Sequence, residues 1–383
     1  NIDFKMSESG TYILNEYFIL KLIFSYLPSR DLHSAAKVCR NWNVIATRAL
    51  AENGEPQSCC VLNGNDVVPP FNEKQSPRII LDFAANSPAF GAGSAFGRVL
   101  NHLHDTYYLE NTSVYHIHAD PYVFSWKSAE NSVIGSLTSR AQKGSDPVHS
   151  LMLLSNMPGV NIDCFQEFQK RIVKGKDGTM VDLEHISRAK GVILIVGSRN
   201  SSANQAQLLL DEIIEICVSN NNTQSELVLA GGITRNILRA QKVFQKTEVL
   251  GVTFSGENVT IDGDIHIPHK MVLEEFMQAF SKRVGKIPED CLRLAFTFIC
   301  TNRKDTYRDI NLFKEYFPGV PIYGFYSYGE YFLHGLKGET NASKAKKDAA
   351  YTTDYENYFY TDSCSFLIVT IKKTKGTSIT SNK

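Results

Sequence analysis

"NEYFILKLIFSYLPSRDLHSAAKVCRNWNVIA", residues 15–46, decides how the N-terminal part of this chain is read. On a helix from Tyr12 to Leu27, Leu14, Phe18 and Leu22 form one stripe, and Ile19, Ile23, Tyr26 and Leu27 a second. Only Asn15, Glu16, Lys21 and Ser25 are polar, so the helix is apolar nearly all the way round and must be enclosed on several sides. It is too short to cross a bilayer, which takes about 20 apolar residues. Pro28 stops it, and Ser29 is placed to cap the next helix. That helix turns Leu32, Ala35 and Ala36 inward. A third carries Val38, Trp42, Ile45 and Ala46 at three- and four-residue spacing. Three helices in about forty residues cannot enclose this much apolar surface unaided. An open apolar face marks an interface, so the segment calls for a partner polypeptide that lays helices against it.

Outward from this stretch, 43% hydrophobic and 21% charged residues over 383 positions permit two or three domains with at least one sizeable core. Forty basic and forty acidic residues balance, which argues against a nucleic-acid groove or an anionic membrane surface as partner. The eight cysteines contain no C-x-x-C pair, so a zinc ribbon has no support. Several, such as Cys217 in "IIEICV" and Cys300 in "FTFIC", sit in apolar runs as buried free thiols do. No signal-peptide pattern opens the chain, and the residues before Met6 are set aside. These features point to a reducing compartment, cytoplasmic and nuclear.

The stretch 51–77 reads as a linker, punctuated by "NGND" and Pro69-Pro70. Beyond it strand and helix patterns alternate. "RIILDF", "SVYHIHA", "HSLMLL", "GVILIVG", "ELVLAGG", "VLGVTFSG", "VTIDGDIHI", "LRLAFTFIC", "VPIYGF" and "CSFLIVTI" read as strands. "NQAQLLLDEIIEICV" and "MVLEEFMQAFSKRV" read as helices. Runs such as "VILIV" want both sheet faces covered, whereas "TIDGDIHI" wants one face wet, with a hairpin turn at Gly263. Residues 219–222 and 339–350 read as exposed loops, and 374–383 as a solvated tail. The expected fold class is α+β: a three-helix N-terminal unit, residues 12–50, followed by a large mixed α/β domain.

The order Leu27, Pro28, Asp31, Leu32, Val38, Cys39, Arg40, Trp42 and Ala46 resembles the F-box pattern. The early Leu-Pro of that pattern is replaced by Asn15-Glu16. The resemblance implies docking on the adaptor Skp1, and through it on the cullin and RING subunits of a ubiquitin ligase. The residues expected to make the adaptor contact are Phe18, Ile19, Leu22, Ile23, Leu27, Pro28, Leu32, Val38 and Trp42.

In the large domain, "FGAGSAFG" offers Gly91, Gly93 and Gly97 ahead of a helix-like run, but not the spacing of a dinucleotide fingerprint. "VYHIHAD" places His116 and His118 on one strand face with Asp120 next along. "IDGDIHIPH" offers Asp262, Asp264, His266 and His269. Both hold metal-ligand types, yet no third strong ligand is evident beside the paired histidines, so neither a metal nor a cofactor is expected. No nucleophile elbow, Walker loop or Cys-His frame is present, so the chain reads as a non-catalytic subunit.

"FTFICTNRKDTYRDINLFKEYFPGVPIYGFYSYGEYF" runs strand, loop, helix, strand, turn. Cys300 ends the strand, Arg303 follows in the loop, Gly324 and Gly329 flank aromatic residues, and Glu330 opens the next strand. Arg303 is placed to meet a carboxylate, Glu330 among them. The segment resembles the FIST domain, which has a strand ending in Cys, a Gly-Arg-Gly-like loop and a Gly-Phe … Gly-Glu turn. Here these are Cys300, Arg303, Gly324-Phe325 and Gly329-Glu330, with Asn302 and Lys304 in place of the loop glycines. "VLAGG", with Gly231 and Gly232, and "VLGVTFSG" resemble closing strands of the family's N-terminal half. The resemblance implies an N-terminal half over 78–260, a C-terminal half over 261–373, and a cleft at Gly231, Gly232, Cys300, Arg303, Gly324, Gly329 and Glu330. Such domains are regarded as sensory. Joined to an F-box, the domain implies a receptor for the protein to be ubiquitylated, its ligand, if it takes one, a small molecule.

Overall fold

The structure, a computed structural model, describes residues 17–62, 75–85, 97, 101, 103, 112–119, 123–126, 148–167, 186–197, 227–240, 245–303, 306–334, 359–360 and 362–373. Helices α1 (Tyr17–Phe24), α2 (Ser29–Ala35) and α3 (Arg40–Glu52) come first, and a largely β-sheet body follows. Leu20 and Phe24 of α1 face inward onto Leu32, Ala35, Ile45, Ala46 and Ala49. Trp42 meets Phe24 edge-on, ring centroids 5.3 Å apart. Pro28, not Ser29, holds the cap position of α2. Its φ of −67° and ψ of 160° already supply the extended geometry a cap needs, and Ser29 is the first helical residue, buried. Val38, expected on the third helix, lies in the turn ahead of it, because α3 starts only after the extended Cys39.

Among the described residues, the body contains three sheets. The first runs, in spatial order, β1 (Gln57–Leu62), β5 (Val148–Leu154), β2 (Ile79–Ala85), β3 (Ser113–Ala119), β9 (Asn236–Ala240) and β10 (Gln245–Thr247). The second runs β16 (Phe359–Tyr360), β15 (Glu330–His334), β8 (Val228–Thr234), β7 (Gly191–Gly197), β11 (Val249–Ser255) and β6 (Asn161–Glu167). The third runs β12 (Val259–His266), β17 (Cys364–Lys372), β13 (Cys291–Cys300), β14 (Ile322–Ser327) and β4 (Val123–Trp126). Residues of all three sheets meet in one core, among them Leu81, Phe83, Ile117, Ile193, Ile195, Phe254, Phe296, Phe298 and Val369. Alternate residues of β7 take opposite sides: Ile193 and Ile195 join that core, while Val192, Leu194 and Val196 pack into a second cluster. "VILIV" is thus covered on both faces. Helices α4 (Leu273–Val284) and α5 (Thr306–Tyr316) cover the other side of the third sheet through Phe276, Phe280 and Phe313.

Two local readings change. The stretch 51–77, read as linker, carries β1, which pairs antiparallel with β5. Gly263 makes no hairpin. β12 runs straight through it, and a Cβ there would lie 2.4 Å from Val228 Cγ1, so the glycine admits close packing of that side chain. The division at 260/261 also falls inside β12. Residues Tyr12–Glu16, the run 204–218, the loops 219–222 and 339–350, the tail 374–383, and Gly91, Gly93 and Asp120 lie outside the described residues.

Candidate functional site

The all-round apolar character of α1 resolves into two faces. Leu20 and Phe24 go inward, while Phe18 (75%), Leu22 (52%), Ile23 (42%) and Ile19 (37%) remain exposed. Tyr26 and Val38, in the turns beyond α1 and α2, extend the exposed apolar surface. A polar edge pins α1 to α3: Arg48 donates to the Tyr17 hydroxyl at 3.2 Å and to Glu52 Oε1 at 2.9 Å. Of the residues expected at the adaptor contact, Phe18, Ile19, Leu22, Ile23 and Val38 are exposed. Leu27 and Trp42 are half-buried against the helical core, and Pro28 is half-buried. Leu32 is fully buried and belongs to the inner packing, so it supports the face from beneath without forming part of it.

Arg303 holds the second site together. Its Nε donates to Asp309 Oδ2 at 2.9 Å, Nη1 to the Asp362 carbonyl at 3.0 Å, and Nη2 to His266 Nδ1 at 3.1 Å. His266 in turn directs Nε2–H to the Met271 carbonyl at 2.9 Å. Burial lowers the His266 pKa, and the neighbouring Arg303 charge lowers it further, so the neutral ring fits both bonds. A cavity of about 460 Å³ opens here, lined in part by His266, Leu273, Asn302, Arg303, Arg308 and Asp362. It adjoins the first turn of α4.

The rest of the expected cleft lies in the interior. Cys300 is buried, and burial followed by the Glu330 charge pushes its thiol pKa up, the opposite of an activated nucleophile. Glu330 pairs with Gly232 across β15 and β8 and accepts the Ser363 hydroxyl at 2.7 Å, whereas Arg303 goes to Asp309. Burial drives the Glu330 carboxyl well above its ordinary range, only partly opposed by Ser363 and Arg303. A Cβ on Gly231 would lie 1.8 Å from the Leu194 carbonyl oxygen, and one on Gly232 2.5 Å from Ser327 Oγ. Gly324 sits at φ +152° against Thr297, and the Gly329 carbonyl accepts the Ser327 hydroxyl. These glycines allow strands to approach; they do not line the cavity. Arg308, Asn302 and Asp362 were missed, since an exposed polar residue gives no sign in the sequence of what it will face.

His116 and His118 do share a face of β3, with ring centroids 6.5 Å apart. Asp264 pairs with Arg283 and His269 is exposed, so the "IDGDIHIPH" residues do not converge. His116 instead meets two residues not singled out in the sequence, Asp82 of β2 and His149 of β5. Burial alone would raise the Asp82 pKa. The His149 charge and the His116 hydrogen bond outweigh it and hold the carboxyl well below its ordinary range.

Residues 19–51 match the family model described as F-box-like. F-box domains are typically found in non-catalytic adaptor subunits. No curated protein matches the chain. Among the described residues, no helix is long and apolar enough to cross a membrane.

Proposed function

We propose that the chain is the substrate-recognition subunit of a Skp1–cullin–F-box ubiquitin ligase, working in the cytoplasm and nucleus. The exposed face of α1 would dock on Skp1, and the sheet body, read as a FIST domain, would hold the protein to be ubiquitylated. Its contribution is proximity: it raises the effective concentration of a target beside a recruited conjugating enzyme and itself makes or breaks no bond.

The observation that carries this reading is the outward row Phe18, Ile19, Leu22 and Ile23 on a helix whose other side is already packed, within a stretch that matches an F-box-like model. Full burial of a large apolar side chain contributes about 1.5–3 kcal/mol, so covering several of these supplies the drive for association. The test is co-expression with Skp1 and affinity purification. Phe18→Asp with Leu22→Asp should abolish co-purification while far-ultraviolet circular dichroism of the chain is unchanged, since neither side chain belongs to the helical core. Undiminished Skp1 recovery by that folded variant would sink the proposal.

A second reading, a small-molecule sensor whose ligand gates substrate choice, is favoured by the Arg303 cavity with its second guanidinium, Arg308. Amino acids and nucleotides, which bring an anionic group to this guanidinium-lined cavity, are the ligands to screen by thermal shift.

A further inference from the structure

Beneath the face of the first sheet opposite the shared core, three adjacent strands bring three metal-ligand side chains to one point. Asp82 on β2 lies in register with His116 on the parallel β3. On the antiparallel β5, His149 stands opposite Ala84, two residues along β2 and therefore on the Asp82 side of the sheet. All three side chains are fully buried. The His116 Nδ1 lies 2.7 Å from Asp82 Oδ2, and the His149 Nδ1 lies 3.0 Å from the same oxygen. One ligand atom from each residue falls within 4.8 Å of the other two.

We infer that Asp82, His116 and His149 form a binding site for a divalent first-row transition ion, with Zn²⁺ the best-suited occupant. Imidazole nitrogen and carboxylate oxygen are the donors such ions prefer, at about 2.0–2.2 Å for zinc. Around a tetrahedral ion at that distance, neighbouring donor atoms stand about 3.4 Å apart, so the two edges at Asp82, now 2.7 and 3.0 Å, must each lengthen by less than an ångström. Each imidazole then carries its proton on Nε2 and presents Nδ1 to the ion. The protons that the two Nδ1 atoms direct at Asp82 must leave as the ion enters. The ion would tie β2, β3 and β5 together at the centre of the sheet, a structural role suited to a site with no exposed ligand. Its fourth position is left to water or to a further side chain.

Cobalt titration of the full-length chain after chelator treatment and dialysis tests this. A site of nitrogen and oxygen donors gives the d–d bands of four- or five-coordinate Co²⁺ without thiolate-to-cobalt charge transfer, which separates it from adventitious binding by cysteines such as the exposed Cys39. Saturation is expected at one Co²⁺ per chain, with the bands bleached by Zn²⁺. Asp82→Asn, His116→Asn and His149→Asn should each weaken binding by on the order of 100-fold or more, given that losing even an outer partner of a metal ligand costs 10–100-fold. Should those variants fail to fold, the unaltered chain still decides, because Zn²⁺ must then raise its melting temperature as a ligand of the folded state does. Absence of the bands and of any zinc-dependent stabilisation in the unaltered chain overturns the inference. So does their survival in all three variants. Either outcome would leave a buried Asp–His network that only braces the strands.

Discussion

At Glu330, burial and ionisation are opposed. The side chain is fully buried, and its carboxyl is held well above the unfolded value of about 4.3. Below that unfolded value both states carry the proton, and the residue costs nothing through ionisation. As pH rises from there toward the folded pKa, the unfolded chain releases a proton that the folded chain keeps. Stability therefore falls through this window, by about 1.4 kcal/mol per unit of separation between the two values. Glu330→Gln retains an acceptor for the Ser363 hydroxyl and removes the titration. The variant should match the parent near pH 4 and exceed it by an amount that grows toward neutrality, on the order of 1 kcal/mol or more. Urea unfolding across a pH series checks this, and a difference that stays flat with pH would refute it. The sequence marked both Glu330 and Arg303 and left open which carboxylate the guanidinium meets. Asp309 takes the guanidinium because the first turn of α5 carries it back beside the loop, a geometry that residue spacing does not reveal.

The secondary-structure elements show which signals the sequence carries. Strands such as β2, β7 and β17 are rich in β-branched residues and were legible, as was the α4 helix with Phe276 and Phe280 one turn apart. The inward side of α1 was not. A helix apolar all round has no preferred direction, and the buried pair Leu20 and Phe24 belonged to neither stripe read from the sequence. β1, β4, β9 and β10 are short and become strands chiefly through the neighbours that pair with them. Among the candidate glycines, Gly324 has an element-level consequence. Its φ of +152° is rare for L side chains, and an added Cβ would sit 1.8 Å from the Thr297 carbonyl oxygen on β13. Gly324→Ala must push β14 away from β13, costing on the order of 2–4 kcal/mol between backbone strain and overpacking. The expected result is a lower denaturation midpoint for the full chain; an unaltered midpoint would mean that the strands separate there without penalty.

Across the whole molecule, the two halves of the body exchange strands. β4, from the N-terminal half, completes the third sheet beside β14, and β15, from the C-terminal half, pairs with β8 in the second. The helical unit is tied on by a His33–Ser76 hydrogen bond at 2.8 Å and an ion pair between Lys373 and Glu55 at 2.8 Å. The sequence reading divided the body at 260/261 by resemblance to a family, but a resemblance over residues 78–373 does not tell which strands cross between sheets. Separating the body into 78–260 and 261–373 would cut β12 and strip β15 from β8. It would also bare one face of the third sheet, where Leu294, Phe296, Phe298, Leu367 and Val369 now meet the other two sheets. A bared apolar face of this kind drives association. We therefore expect each fragment alone to aggregate or to lack near-ultraviolet circular dichroism, and refolding the two together to restore a cooperative transition. Cooperative unfolding of isolated 261–373 as a monomer would show that the shared core is dispensable, and that the halves are separate domains after all.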